Sequence, residues 1–192
     1  MRSRGDQGSV MDLWQLPTAW EAEGKTYPHR TDYREMLKLM AILNDSQRPL
    51  HYRWLMAISY FYKEPIPRPL EEAAFAYLSE FLSCGQPGGN GVKLMDWQTD
   101  APEILSGVNA AAGTEVRSLP YLHWWSFLSY FHSIGEGRLS QLVAIRYKLS
   151  RGQKLESYEQ EFYRQNKDKI RLRTPESPAD TAHRKELEAL LN

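Results

Sequence analysis

The stretch PYLHWWSFLSYFHSI, residues 120–134, surrounds a thin polar stripe of His123, Ser126, Ser129 and Ser133 with Tyr121, Leu122, Trp124, Trp125, Phe127, Leu128, Tyr130, Phe131 and Ile134. A helix apolar on almost every side belongs inside a bundle. Pro120 is placed to open it, because a first helical turn loses nothing by lacking an N–H. The segment YRWLMAISYFY, residues 52–62, has the same character: Trp54, Leu55, Met56, Ile58, Tyr60 and Phe61 leave almost no polar side. Two such helices predict a mostly α, single-domain multi-helix bundle of six to eight helices.

The flanking sequence supplies the outer layer. Ala19–Glu23, Gly24 and Lys25–His29 read as a small N-terminal β-hairpin, too little sheet to stand alone. Thr31 or Asp32 supplies an N-cap to a helix whose Tyr33, Met36, Leu37, Met40 and Leu43 recur at helical spacing. Pro65, Pro67 and Pro69 end the second helix, and Leu70, Ala74, Tyr77, Leu78 and Phe81 mark a third. A glycine-rich loop at 85–91 precedes a fourth, in which Asp100 and Glu103 are spaced as a capping-box variant and Pro102 requires a start near Asp100. Leu139, Leu142, Ile145 and Leu149 mark one later helix; Leu155, Tyr158 and Phe162 mark another. The stretch Lys167–Arg173 is basic and almost without apolar residues. Pro175 and Pro178 then form a linker to a short helix from Asp180 to Leu191. The expected organisation is a disordered lead (1–13), a helical domain with its hairpin (14–170), and a linker with a C-terminal helix (171–192).

Composition narrows the function. The chain has 192 residues, with 24 Lys and Arg against 24 Asp and Glu, and a pI near 7.0. Nucleic-acid affinity comes largely from surplus cations, so a polybasic mode of binding is disfavoured. Cys84 is the single cysteine and permits no internal disulfide. No apolar run approaches the roughly 20 residues needed to span a bilayer, and no membrane partner is expected. No phosphate-cradling or dinucleotide fingerprint and no paired-cysteine motif occurs, so no cofactor is expected.

Asp96, Asp100, His123 and His132 are the one grouping with the chemistry to hold a metal or move protons. The competing reading is structural: both aspartates flank a helix start, where carboxylates satisfy free amides. Arg146 falls beside the apolar stripe of Leu142 and Leu149. Either its guanidinium is buried against Asp100 or Asp96, or it snorkels to water. Between Arg138 and Arg173, ten Lys and Arg stand against Glu156, Glu159, Glu161 and Asp168. That surplus reads as a solvated outer face or as a surface for an acidic protein partner.

The order Asp32-Tyr33-Arg34, then Trp54 to Tyr62, Asp96-Trp97-Gln98-Thr99-Asp100, Leu122-His123-Trp124-Trp125 with Phe127, and Ile145-Arg146 resembles the bacteriophage gene-product-fifteen family from about Leu16 to Ile170. Asp96, Asp100, His123, Trp124 and Arg146 are the motif positions. Pro102 and the Ala- and Gly-rich stretch from Gly107 to Ser118 depart from the family's pattern, an expected local weakening of packing. The resemblance implies a non-catalytic tail-assembly chaperone in the host bacterial cytoplasm. It would bind and solubilise the tape-measure protein, and other tail-assembly proteins are its expected partners. A groove bordered by Trp54, Tyr60, Trp97 and Trp125 is the candidate docking surface, because aromatics anchor interfaces. Two alternatives stand beside this: a structural tail or connector component retained in the virion, and a metal-dependent enzyme using Asp96, Asp100 and His123.

Overall fold

In the computed structural model, residues 14–85 and 92–172 are described. The expected lead (1–13), most of the glycine loop (86–91), and the linker and helix expected over 173–192 lie outside the described residues.

Trp20 and Tyr27 face each other across β1 (Ala19–Ala22) and β2 (Lys25–Pro28), an antiparallel pair. Glu23 and Gly24, at φ 50° and 74°, form the two-residue turn whose twist matches that of the strands. The hairpin survives because both rings are buried, with Trp20 packed on Tyr62 and Tyr77 of the helical layer. Next come α1 (Tyr33–Leu43), capped by the Asp32 carboxylate, α2 (Leu50–Phe61), and α3 (Glu71–Ser83) after a 3-10 turn at Arg68–Leu70. Then follow α4 (Ala101–Ala112), a 3-10 turn at Val116–Ser118, α5 (Trp124–His132), α6 (Arg138–Ser150), α7 (Ser157–Gln165) and α8 (Lys167–Ile170). The protein is a mostly α bundle with eight α-helices among the described residues.

The stretch 120–134 does form the core, through α5. Trp124, Trp125, Phe127 and Leu128 are buried, and Phe127 stacks on Tyr33 of α1 with ring centroids 4.6 Å apart. The two indole N–H groups donate to the Leu82 and Phe81 carbonyls at 3.0 and 2.9 Å. These belong to the last turn of α3, where carbonyls lack the N–H four residues on; the Phe81 carbonyl also accepts the Cys84 N–H at 3.2 Å. The helix starts later than expected, however. His123 rather than Pro120 is its cap, and Tyr33 N–H and Trp124 N–H donate to Leu122 and Thr31 carbonyls across a short bridge between the two chain segments.

Two other expectations are corrected. The helix α2 is not central. Its C-terminal end buries Ala57, Ile58 and Phe61, while Leu50, Tyr52, Trp54, Leu55 and Met56 in its first half remain partly exposed. An all-apolar pattern reports which surface a helix offers, not whether the same chain covers it. Within the basic stretch, Lys167–Ile170 makes a helical turn, and Ile170 is buried with Leu142 and Ile145 in a second small cluster. The capping box at α4 does not form, because the Asp100 side chain turns inward. Pro102 falls in the first turn of α4, where the missing N–H costs nothing, and Gly113 at φ 66° ends that helix.

Within α4, Gly107 is required by a close approach. A Cβ there would lie 2.8 Å from Cγ2 and Cδ1 of Ile134 and 2.9 Å from its Cγ1, and the branch of Ile134 cannot swing clear as a chain end could. Gly107→Ala should therefore lose about 1–3 kcal/mol to overpacking, outweighing its gain in helix propensity of about 1 kcal/mol. In an Ile134→Ala background the same change should cost less or stabilise. Urea unfolding of the four variants in this cycle measures the difference.

Candidate functional site

Arg146 lies on the buried side of α6 with Leu139, Leu142 and Ile145, and is 5% exposed. The snorkelling alternative is therefore excluded. Arginine has five N–H donors, and all five are placed. Nη1 donates to Asp100 Oδ2 at 2.7 Å and to the Leu94 carbonyl at 2.9 Å; Nη2 donates to Asp100 Oδ1 at 2.8 Å and to the Lys169 carbonyl; Nε donates to the Ile170 carbonyl at 3.1 Å. One guanidinium thus joins α6, the start of α4, the segment before it and α8. The choice between aspartates falls on Asp100, which is 1% exposed and also accepts the Asp96 N–H at 2.9 Å. Asp96 caps its own turn instead, accepting the Gln98 and Thr99 N–H groups and pairing with Lys93 at 2.6 Å.

His123 is 2% exposed, and both ring nitrogens are occupied. Nδ1 accepts the Trp125 N–H at 3.1 Å, which leaves the proton on Nε2, and Nε2 donates to the Pro17 carbonyl at 3.0 Å. Burial lowers its pKa, against the opposing pull of the Pro17 carbonyl. Asp96, Asp100 and His123 therefore do not converge. Among the described residues, no group of three or more His, Cys, Asp or Glu side chains is arranged to hold a metal ion.

Part of the basic surplus after Arg138 meets carboxylates from elsewhere in the chain: Arg146 is locked on Asp100, and Lys169 and Arg138 both approach Glu103, while Lys148–Glu159 and Arg164–Glu161 pair within the stretch. Glu103 was expected only as part of a cap, yet it is a buried carboxylate that binds the α8 turn to α4. His29 was also missed, since a histidine between Pro28 and Arg30 carries no periodic signal. It is 1% exposed, stacks on Phe61 at 4.4 Å, bonds the Arg30 carbonyl through Nδ1 and faces the Tyr77 hydroxyl through Nε2.

The four candidate docking aromatics do not border one groove. Trp125 is 3% exposed and has nothing to offer a partner. Tyr60 donates its hydroxyl to Glu35. Trp97 is half-buried against Trp124 and Phe131. Trp54 is different: it stacks on Phe75 at 4.6 Å and remains 40% exposed. In the same first half of α2, Leu50, Tyr52, Leu55 and Met56 are between 37% and 54% exposed. Isolated apolar residues on a surface are ordinary, whereas a cluster of this kind marks an interaction site.

The arrangement is thus a buried, fully hydrogen-bonded charge pair in a helical body that carries partly exposed apolar side chains on α2. A family model described as Bacteriophage Gp15 protein matches residues 13–172, and the chain belongs to that family. It is accordingly a bacteriophage structural or assembly protein. No match was found among curated proteins or among solved structures.

Removing either member of the buried pair strands a charge and should cost about 3–5 kcal/mol. Asp100→Asn and Arg146→Met should both show this in urea unfolding. Combining Arg146→Met with Asp100→Leu should not restore stability, because the Leu94, Lys169 and Ile170 carbonyls would still lack donors. Acid sensitivity follows from His29. Burial above all, with repulsion from the Lys63 ammonium and from His123 once that ring is protonated, lowers its pKa from 6.5 to about 4 despite the bond to the Arg30 carbonyl. The unfolded chain therefore binds this proton first. The stabilisation is complete above about pH 6.5 and is lost as the pH falls through 4, with a slope of up to about 1.4 kcal/mol per pH unit. His29→Gln should flatten the fall in urea midpoint over that range.

Proposed function

We propose that the protein is a non-catalytic tail-assembly chaperone that holds the tape-measure protein in solution in the host bacterial cytoplasm until the tail tube polymerises around it. The family resemblance supplies the partner. The observation that carries the reading is the first half of α2, where five large apolar side chains remain 37% to 54% exposed on a helix that the described residues leave partly uncovered. A long helical partner with apolar stripes is matched to such a surface by the helix-in-groove mode of recognition. No nucleotide is needed for release. Tail subunits competing for the same stripe on the partner drive it by mass action.

Co-expression with the tape-measure protein should raise that protein's soluble yield several-fold. The double variant Trp54→Asp, Met56→Asp should abolish the gain while retaining the far-UV circular dichroism of the parent, with a melting temperature lowered by the loss of the Trp54–Phe75 stack. An unchanged soluble yield would overturn the chaperone reading. Mass spectrometry of purified virions separates the other role: a stoichiometric copy number would make the protein a retained tail component.

A further inference from the structure

The exposed side chains of α2 do not all share one face. Tyr52, Leu55, Met56 and Ser59 stand at i, i+3, i+4 and i+7, which a helix sets in one row, and all four are exposed. Ala57, Ile58 and Phe61 are buried on the other side, and Trp54 falls with them, stacked on Phe75 of α3. The face offered to a partner is therefore the narrow stripe of Tyr52, Leu55 and Met56, continued by Ser59.

The charges beside this stripe differ between its two flanks. On the Met56 flank, Arg53 lines a recess of about 300 Å³ with Ala41 and Ile42 of α1 and with Asp45 and Arg48. Asp45 and Arg48 pair with each other at 3.0 Å, and Arg48 also lies over the Tyr52 ring. Arg53 is less satisfied. Its Nη1 donates to the Leu43 carbonyl at 2.6 Å, but its Nε–H is buried without an acceptor among the described residues. On the Leu55 flank, a separate recess of about 380 Å³ carries charges of both signs, Lys63, Glu64 and Glu71, and Glu64 pairs with Lys25 at 3.1 Å.

We propose that the stripe binds an amphipathic helix of a partner protein that carries Asp or Glu along one side of its own apolar row, with a carboxylate seated on Arg53. This rests on the reading of α2 as the partner surface and adds the chemistry and direction of what it binds. Charge complementarity selects the occupant. A carboxylate takes two N–H donors of a guanidinium at once, and Arg53 holds more donors than the described residues satisfy. The helix itself contains His51 and Arg53 and no acidic residue, so a second copy laid face to face would set cations against cations. Tyr52, Leu55 and Met56 supply contact area, while Arg53 on one flank fixes which way the bound helix lies.

Three synthetic stapled helices test this. Each carries leucines at i, i+3, i+4 and i+7, and they differ only at the positions along one side of that row, which are Glu, Gln or Lys. Calorimetric titration into the full-length protein should show the Glu helix binding about tenfold tighter than the Gln helix, the step expected when a charge-assisted hydrogen bond replaces a neutral one. The Lys helix should bind weakest. Leu55→Ser with Met56→Ser should weaken all three alike. Arg53→Gln should remove the difference between Glu and Gln, and Arg53→Lys, which keeps the charge, should retain it; a general loss of packing would not single out the Glu helix. Equal affinities for the three helices, or no binding of any, would overturn the proposal. So would a dimer in sedimentation equilibrium that Leu55→Asp dissolves, or co-sedimentation with phosphatidylglycerol vesicles that Leu55→Asp abolishes. A Glu preference without any gain in soluble tape-measure protein would remove the chaperone reading and leave this site standing, and the reverse pair of results would do the opposite.

Discussion

The Arg146 guanidinium is the constraint on which the second half of the structure depends. Its helix contributes only a narrow apolar stripe, and α8 is one turn long, too short to be stable by its own hydrogen bonds. Both are tied to the bundle by donors that no other described residue replaces: two to Asp100 and three to the backbone of residues 94, 169 and 170. A buried ion pair seldom adds much net stability over a well-packed apolar pair. What this one contributes is uniqueness, because a planar fork with fixed donor directions accepts one mutual placement of its partners.

The first half is organised differently, around rings and indoles. Trp124 and Trp125 are adjacent, yet both are used twice: their bodies fill the core and their N–H groups finish α3. The bridge between residues 31–33 and 122–124 joins the cap of α1 to the cap of α5, and Asp32 serves both ends by also accepting the Leu122 N–H. Buried histidines sit in this layer as neutral hydrogen-bonding groups, which makes the aromatic half the acid-sensitive one.

A rigid body of this kind has a consequence for what the protein can do. Most polar groups that might have carried chemistry are engaged in holding the fold, including both motif aspartates, His123 and part of the basic stretch. Among the described residues, the run of large apolar side chains in the first half of α2 is left partly uncovered by the fold. Bacteriophage assembly needs surfaces that bind and let go, and an apolar helix face suits that better than a deep pocket, since exchange requires only competition for area.

Periodicity and turn chemistry were enough to establish the helical class, a hairpin about Gly24, a cap at Thr31 or Asp32, and α5 as a core helix, because each of these depends on residues near one another in the chain. The amphipathic pattern of α6 also marked Arg146 as an anomaly. It left the partner open between two aspartates, since a contact across 46 residues has no local signature. The remaining outcomes were tertiary. Whether α2 is covered depends on how far α1 and α3 extend beside it, so its uniform apolarity was compatible with both the centre and the edge. The α8 turn exists because Arg146 and Glu103 reach it, not because Lys167–Ile170 favours a helix. Local sequence determines what each segment offers, and only the packed chain decides which offers are taken up, because burial and long-range hydrogen bonding are properties of the whole arrangement of segments.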